Sequence, residues 1–434
     1  MASPLFRRVP NDRQQELTMY APPRWPTPWL FSLLILPLGI IVGFKATPLP
    51  FLLAKAGVPV DQIATISSIV NLPGVLLFLW APLVDIKLRR RTWLAIGIFG
   101  AALSLCIYFP LIGPAHVTLM TALILLGGIP EALIMAGCGG LMVRTLSSVG
   151  QAKASAWWQA GFLGGGALGG AAVMWLTAQM PLLAAGFCTA ALIVLPGFLP
   201  FSVPEAAPVP SAWFQGRLRR IAREIWNVLR TPDRRWSLVL LVAPGGTGAA
   251  MFLLPAIATH YGVGATGVTW INGVGGGVLM ALGSLCGTLI PGDWDRRLMY
   301  AVAGALNALA AIVLLAANRP SLYLVGTALY LITNGFCAVW FTALMAEIVG
   351  SEARDASTLF TVLNSAGSLP VIYMIRLDGM GYRYFGTQGL LWTDAAGSLL
   401  VCAVVVSVFA IRGMGLRRVS TSQIFSSEAS IPAS

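Results

Sequence analysis

Long apolar stretches alternate with short polar loops along most of this chain. Each stretch holds roughly 20 residues or more, the length that an α-helix needs to cross a hydrocarbon core of about 30 Å. The pattern predicts about twelve membrane-spanning helices, at residues 29–54, 62–84, 93–113, 117–141, 155–178, 182–201, 237–260, 265–291, 298–317, 321–346, 356–376 and 389–411.

The composition indicates the same class of protein. Hydrophobic residues make up 57% of the 434 residues and charged residues only 10%, with a mean hydropathy of +0.79. These values lie far from those of ordinary soluble domains. All six cysteines fall within apolar stretches, so we expect them to pack between helices rather than to form disulfides. An all-α integral membrane protein is therefore expected.

The net charge of +12 is distributed unevenly between the two sides of the predicted membrane. When the loops are assigned alternately to the two sides, roughly 23 basic residues fall on one side and four on the other. The four are Lys55, Arg319, Arg376 and Arg383. This asymmetry follows the positive-inside rule and predicts that both termini lie in the cytoplasm. The positive charge then serves topology, and no nucleic-acid partner is expected.

One long polar segment, residues 202–236, interrupts the series after the sixth predicted span. Its apolar residues recur every three or four positions with arginines between them, which predicts an amphipathic helix on the cytoplasmic headgroups. We therefore predict a cytoplasmic tail, a six-helix bundle, a linker with the amphipathic helix, a second six-helix bundle and a second cytoplasmic tail, at residues 1–28, 29–201, 202–236, 237–412 and 413–434.

Two loop sequences of the first half recur in the second half. "APLVDIKLRRR" at 81–91 aligns without gaps on "GTLIPGDWDRR" at 287–297, and "LMVRTLSSVGQAKAS" at 141–155 pairs with "LMAEIVGSEARDAS" at 344–357. Both pairs follow predicted helices of equivalent rank. They indicate a duplicated six-helix unit, and parallel halves of this kind are a known plan of transporters.

The first of these loops resembles a family signature. Ala81, Leu83, Asp85 and the pair Arg89 and Arg90 have the spacing of the G-x-L-x-D-x-x-x-R-[RK] motif, and they resemble this signature of the major facilitator superfamily. Ala81 replaces the first glycine, and Pro291 replaces the aspartate in the second copy.

Residues 43–94 and the stretch "WWQAGFLGGGALGG" at 157–170 also resemble one branch of that superfamily. This branch holds AmpG-type muropeptide permeases, acetyl-coenzyme A transporters and certain siderophore importers. The resemblance implies two pseudo-symmetric six-helix bundles in a bacterial inner membrane. It also implies a monomer that moves a small-molecule solute by alternating access, using a proton gradient and no cofactor.

The charges of the 81–91 loop are candidates for a gate. Asp85 with Arg89 and Arg90 can pair within the loop and with helix ends of the other half, which would hold the cytoplasmic side shut. Glu347 and Arg354 are candidates for the matching latch in the second half. The alternative is that the arginines only anchor the topology.

Two charged residues are predicted near the middle of the membrane. Lys45 lies about 24 Å along a helix from Trp29, and Glu131 lies at a comparable depth in the fourth predicted span. A lysine at mid-bilayer costs about 2.5–3.5 kcal/mol on insertion scales and needs a partner or a wet cavity. We expect Lys45 to attract an anionic solute and Glu131 to carry the coupling proton. The alternatives are that Lys45 snorkels to the outer headgroups, or that the two form a structural pair.

Several polar or aromatic residues are predicted at a similar depth and are candidates for contacting the solute. For any one of them, hydrogen bonding between helices is the competing role. They are Asn71, Trp157, Trp158, Gln159, Asn334, Trp340 and Asn364.

The sequence lacks the motifs that mark several other classes of protein. No lysine follows a glycine, so the phosphate-binding G-x-x-x-x-G-K is absent, and no H-E-x-x-H, G-x-S-x-G or C-x-x-C occurs. We therefore predict a proton-coupled importer of a small anionic or amphipathic solute, such as a muropeptide or a siderophore. The alternatives are a proton-antiport exporter, a non-transporting membrane sensor and a membrane-embedded acyltransferase.

Overall fold

The structure is a computed structural model, and it describes residues 27–76, 88–146, 148–203, 223, 226, 229–290, 294–349 and 356–412. The predicted amphipathic helix of the linker lies almost entirely outside the described residues. Every regular element of the described residues is helical apart from one isolated bridge residue, Trp294, which confirms the predicted all-α class.

The described residues of the first half contain eight helices, some of which are pieces of the same membrane span. They are α1 (Leu30–Ala46), α2 (Pro48–Lys55), α3 (Val60–Val70), α4 (Leu72–Val75), α5 (Arg90–Tyr108), α6 (Val117–Thr145), α7 (Ser148–Gln179) and α8 (Leu182–Val194). Short 3-10 turns at Phe109–Leu111, Pro114–His116 and Leu195–Ser202 extend the spans.

Between residues 229 and 412, the part of the second half that the structure describes contains seven helices and one π-helical turn. They are α9 (Pro232–Leu241), α10 (Leu254–Ile257), α11 (Ala265–Val268), the π-turn Thr269–Val274, α12 (Gly275–Thr288), α13 (Arg296–Leu315), α14 (Pro320–Val349) and α15 (Ala356–Arg412). Short 3-10 turns at Ala249–Phe252 and Ala258–Tyr261 flank α10.

Nine helical runs of the described residues are long and apolar enough to cross a membrane. The last run covers two predicted spans, because α15 is two helices joined at Phe385 and Gly386, where the backbone leaves helical geometry. The second predicted span is described only as far as residue 76, and the seventh is broken into short pieces. These three differences reconcile the nine runs with the twelve predicted spans.

The two faces of the protein are distinguished by charge and by loop position. We call the face that carries Arg89, Arg296 and Arg412 the basic face. The opposite face carries the loop at residues 56–59 and the turn at residues 385–386. The helices that follow α5 run alternately between these two faces.

Glycine lets α1 and α7 approach so closely that their backbones touch. A Cβ atom on Gly39 would lie 2.5 Å from the Phe162 carbonyl oxygen, and one on Gly43 would overlap the backbone of Gly166. No side chain separates the helices at these positions. The glycine-rich sequence of the fifth span therefore forms a backbone-to-backbone contact within the first half.

The two halves touch from the middle of the protein to the opposite face. On that side, Gly379 of α15 lies against Ala64 of α3, and α2 packs against α10. Nearer the middle, Gly273 of the π-turn lies against Ala171 of α7. These contacts close the space between the halves toward the opposite face.

Candidate functional site

Lys45 and Glu131 form an ion pair in the first half. Lys45 Nζ lies 2.6 Å from Glu131 Oε2 and 3.5 Å from the Val70 carbonyl oxygen. The Lys45 side chain is only 4% exposed, whereas Glu131 retains 13%. The carboxylate is therefore the member of the pair that water reaches more easily.

The local sequence fixes this pair at the middle of the membrane. Glu131 is 14 residues from each end of α6, about 21 Å along the helix axis from either end. Lys45 sits at the end of α1, just before Thr47 and Pro48 interrupt the span. Phe44, beside Lys45, stacks on Phe109 with ring centroids 5.2 Å apart, so apolar groups flank the charges.

The seventh span is broken beside the centre of the protein. The predicted continuous helix ends at Leu241, and the chain is non-helical from Val242 to Gly248. The sequence Pro-Gly-Gly-Thr-Gly explains the break, because proline removes a helical hydrogen bond and Gly246 and Gly248 adopt positive φ angles of 62° and 64°.

Side chains from three other parts of the second half bind the backbone of this broken segment. Tyr300 donates to the Gly245 carbonyl at 2.7 Å, and Tyr373 donates to the Val242 carbonyl at 2.8 Å. The Gly246 N–H donates to Ser398 Oγ at 3.0 Å. Non-helical backbone inside a membrane needs such partners, and it occurs where it lines a cavity.

A cavity of about 190 Å³ lies next to the broken segment. It extends from the middle of the second half toward the basic face. Its polar lining comes from the broken segment and from α13, α14 and α15, and consists of Gly246, Thr247, Tyr300, Asn334, Asn364 and Ser368.

Two of the predicted solute contacts, Asn334 and Asn364, line this same cavity. Asn334 is 7% exposed, and its Nδ2 lies 3.1 Å from Met251 Sδ. Asn71 lies in the first half, where its Nδ2 donates to the Ser67 carbonyl at 2.8 Å within its own helix. Trp340 is buried against Phe336 and does not border the cavity.

The predicted contacts on α7 lie apart from that cavity. Trp157 is 49% exposed, Gln159 is exposed, and Trp158 is half-buried against the core of the first half. Lys45, Glu131 and the two cavity asparagines thus belong to different halves. The predicted solute contacts do not converge on one pocket in this conformation.

The predicted gate residues are only partly described. Asp85 and Arg354 lie outside the described residues, and Arg89 is exposed. Arg90 Nη1 donates to the Gly140 carbonyl at the end of α6.

In the second half, Glu347 of α14 lies 3.6 Å from Arg297 Nη2 and 4.0 Å from Arg296 Nε. Each of these contacts joins two segments of one half. These contacts of Arg90 and Glu347 therefore brace each half internally at the basic face.

Two buried acids of the second half were not among the predicted site residues. Asp378 and Asp394 are 0% and 2% exposed, and Tyr330 donates to Asp394 Oδ2 at 2.9 Å. Asp394 could have been predicted from the sequence, because an acid inside a predicted membrane span is a candidate functional residue. Asp378 fell two residues beyond the predicted end of its span, whereas the helix continues to residue 384.

Paired helical halves, a broken span and buried charges at mid-membrane together define a secondary transporter. A sequence profile described as the Major Facilitator Superfamily matches residues 24–372. The chain belongs to this superfamily of transporters, so it is a transporter rather than an enzyme, with small-molecule solutes and the lipid bilayer as its partners. No curated protein sequence matches the chain significantly.

Solved structures of transporters share the fold at low sequence identity. The nucleoside transporter NupG is 15% identical with a TM-score of 0.64, covering 88% of this chain and 98% of its own. A D-xylose-proton symporter is 12% identical with a TM-score of 0.65, covering 87% and 95%. The human organic anion transporter MFSD10 (TETRAN) is 19% identical with a TM-score of 0.59, covering 87% and 98%.

Proposed function

We propose that this protein is a proton-coupled importer of a small anionic solute. The observation that carries the proposal is the buried ion pair between Lys45 and Glu131 at 2.6 Å. An ammonium group at this depth is costly without a negative partner, and the carboxylate of Glu131 is that partner in the described conformation.

The pair supplies a mechanism in which proton and anion bind together. When Glu131 takes a proton, Lys45 loses its counter-charge, and a negative group of the solute replaces the carboxylate. The site carries no net charge in either condition, because one proton and one negative charge enter together. After release, Glu131 pairs with Lys45 again, and the empty carrier returns without a buried unpaired charge.

The sequence also supports an orientation of the protein in the membrane and a class of solute. The distribution of basic residues supports a cytoplasmic basic face with both termini on that side. The resemblance to bacterial permeases favours a bacterial inner membrane. The AmpG-like sequence of residues 43–94 favours a muropeptide or a siderophore as the solute. The cavity near Asn334 and Asn364 offers amide groups that can hydrogen-bond a sugar or peptide portion of it.

Purified protein in liposomes that contain a pH-sensitive dye tests this proposal. A muropeptide and a carboxylate-bearing siderophore are the anionic probes, and uridine and xylose are the neutral ones. Inward movement of an anionic probe should acidify the lumen. Acidification by neutral probes alone would overturn the anion selectivity, and alkalinisation on adding an anion would identify the protein as an antiporter.

The Glu131→Gln variant separates the proton from the solute. It should move the anionic probe down its gradient without acidifying the lumen, whereas Glu131→Asp, which keeps the acid, should retain acidification. Asp61→Asn, at the start of α3, is the matched control and should behave like the wild type. Full acidification by Glu131→Gln would show that the coupling proton binds elsewhere.

A further inference from the structure

Two buried carboxyl groups of the second half lie at the same level of the α15 hairpin. Gly381 and Gly389 pack backbone to backbone next to the turn, and the Gly397 Cβ position lies 3.0 Å from the Met374 side chain further along. This antiparallel register places Asp378 opposite Asp394, and the two groups interact electrostatically.

Asp378 is buried without a hydrogen-bond donor. It is 0% exposed, and neither carboxyl oxygen accepts a hydrogen bond from any described residue. None of the ion pairs among the described residues includes Asp378 or Asp394. An ionised carboxylate in such a place would be strongly disfavoured, because nothing replaces the water it has lost.

Among the described residues, no cation forms an ion pair with either aspartate, and the nearest histidine, His260, stacks on Tyr382 with ring centroids 6.1 Å apart. From α14, Tyr330 binds Asp394, and the Cys337 thiol is in electrostatic range of it. From α3, Asp61 lies over Gly379, and Tyr382 is the next titratable group on the helix itself. The nearby Arg376 and Arg383 are exposed on another side of the helix.

We propose that Asp378 and Asp394 together bind one proton, forming a second proton site distinct from Glu131. The proton resides on one carboxyl group and is donated to an oxygen of the other, so the pair carries a single negative charge. Tyr330 fixes the geometry by donating to Asp394 Oδ2. Two adjacent buried carboxyl groups hold one proton between them rather than two negative charges.

The position of the pair links this proton to the contact between the halves. Gly379, next to Asp378, is covered by Ala64 of α3 in the other half. While this contact is closed, α3 covers the helix beside Asp378 on the side of the opposite face. Separation of α3 from α15 would hydrate the pair, so the proton exchanges when the protein opens there.

Infrared spectroscopy of the purified protein in lipid tests the proposal without any transported solute, so its outcome does not depend on the proposed import. A protonated carboxyl group gives a carbonyl band apart from the amide bands, and the band shifts in heavy water. The wild type should show this band at neutral pH. Asp378→Asn should remove it, because Asp394 keeps its hydrogen bond from Tyr330 and can stay ionised. Asp394→Asn should shift the band, because the donor-free Asp378 keeps the proton. The double variant should lack the band, whereas Asp61→Asn and Glu131→Gln should retain it.

A further variant protects the test against misfolding. Tyr330→Phe keeps both acids and removes one hydrogen bond, so it should shift the band rather than abolish it. Absence of the band in the folded wild type, or its survival in the folded Asp378→Asn/Asp394→Asn double variant, would overturn the proposal. An infrared carboxylate band that responds to added sodium chloride but not to pH would also overturn the proposal.

Discussion

Arg90 and Arg296 occupy equivalent positions of the two halves and make the same contact. They align in the repeated loop, and each donates from Nη1 to a backbone carbonyl, that of Gly140 or of Ala343. Gly140 and Ala343 directly precede the second repeated sequence, at Leu141 and Leu344. The sequence echo thus has a counterpart in the contacts, which supports the two pseudo-symmetric bundles.

Parallel halves predict which residues are accessible from the same side of the membrane. In a variant without native cysteines, Arg89→Cys and Arg412→Cys should react with a membrane-impermeant maleimide from one side. Phe385→Cys, which replaces a residue 78% exposed at the opposite face, should react only from the other side. Labelling of residues 89 and 412 from different sides would contradict the fold.

The Lys45–Glu131 pair predicts a pattern of stabilities. Glu131→Gln leaves a buried ammonium without its carboxylate and should cost about 3–5 kcal/mol in the free energy of unfolding. The double variant Lys45→Gln/Glu131→Gln removes both charges and should recover most of this loss. Thermal unfolding in detergent provides the comparison. A loss in the double variant equal to the sum of the losses in Glu131→Gln and Lys45→Gln would mean that the pair contributes no coupling energy.

The contact between α1 and α7 predicts opposite fates for two glycines one turn apart. A Cβ on Gly161 would overlap the backbone of Ser32, whereas one on Gly164 would meet nothing within 4 Å. Gly161→Ala should therefore lower the melting temperature by several degrees, which corresponds to roughly 1–3 kcal/mol of overpacking. Gly164→Ala is the matched control and should stay within about 1 kcal/mol of the wild type.

The broken seventh span predicts a structural role for Tyr300. Tyr300→Phe removes the donor to the Gly245 carbonyl and should destabilise the protein by about 1–3 kcal/mol. Because Tyr300 also lines the cavity, a change in solute affinity is expected as well. Tyr384→Phe changes a residue that is 70% exposed and should have no measurable effect on unfolding. Equal stability of both variants would show that the break needs no such support.

The sequence predicted the helical spans and both mid-membrane charges of the first half because these depend on spacing along a helix. Lys45 and Glu131 each lie near the middle of an apolar stretch, and the structure brings them together. The roles assigned to them remain predictions. Residues 81–87 of the predicted gate loop, including Asp85, lie outside the described residues.

Asp378 was hidden by its neighbours in the sequence. Arg376 and Arg383 made the segment resemble a polar loop, and the predicted span ended at 376. Arg376 and Arg383 lie seven positions apart, about two helical turns, so they share one exposed side of the helix. Asp378 lies on a buried side of the same helix. Hydropathy averaged over a window of consecutive residues cannot distinguish these two sides of the helix.

The break at 242–248 was missed for a related reason. Hydropathy measures how apolar a segment is and carries no information about its backbone conformation. The glycines and Pro244 lowered the helical tendency without lowering the hydropathy enough to interrupt the predicted span. The tyrosines that bind the exposed carbonyls come from distant parts of the chain, so their partnership depends on the tertiary fold.

Because α1 and α7 touch backbone to backbone at Gly39, Gly43 and Gly161, sliding of one helix past the other would make their backbones collide. Any rearrangement during the transport cycle must therefore move α1 and α7 together as one rigid layer. Lys45, at the end of α1, moves with this layer. In the proposed mechanism, access to Lys45 from either compartment therefore changes through movement of the whole layer, and the Lys45 rotamer need not change.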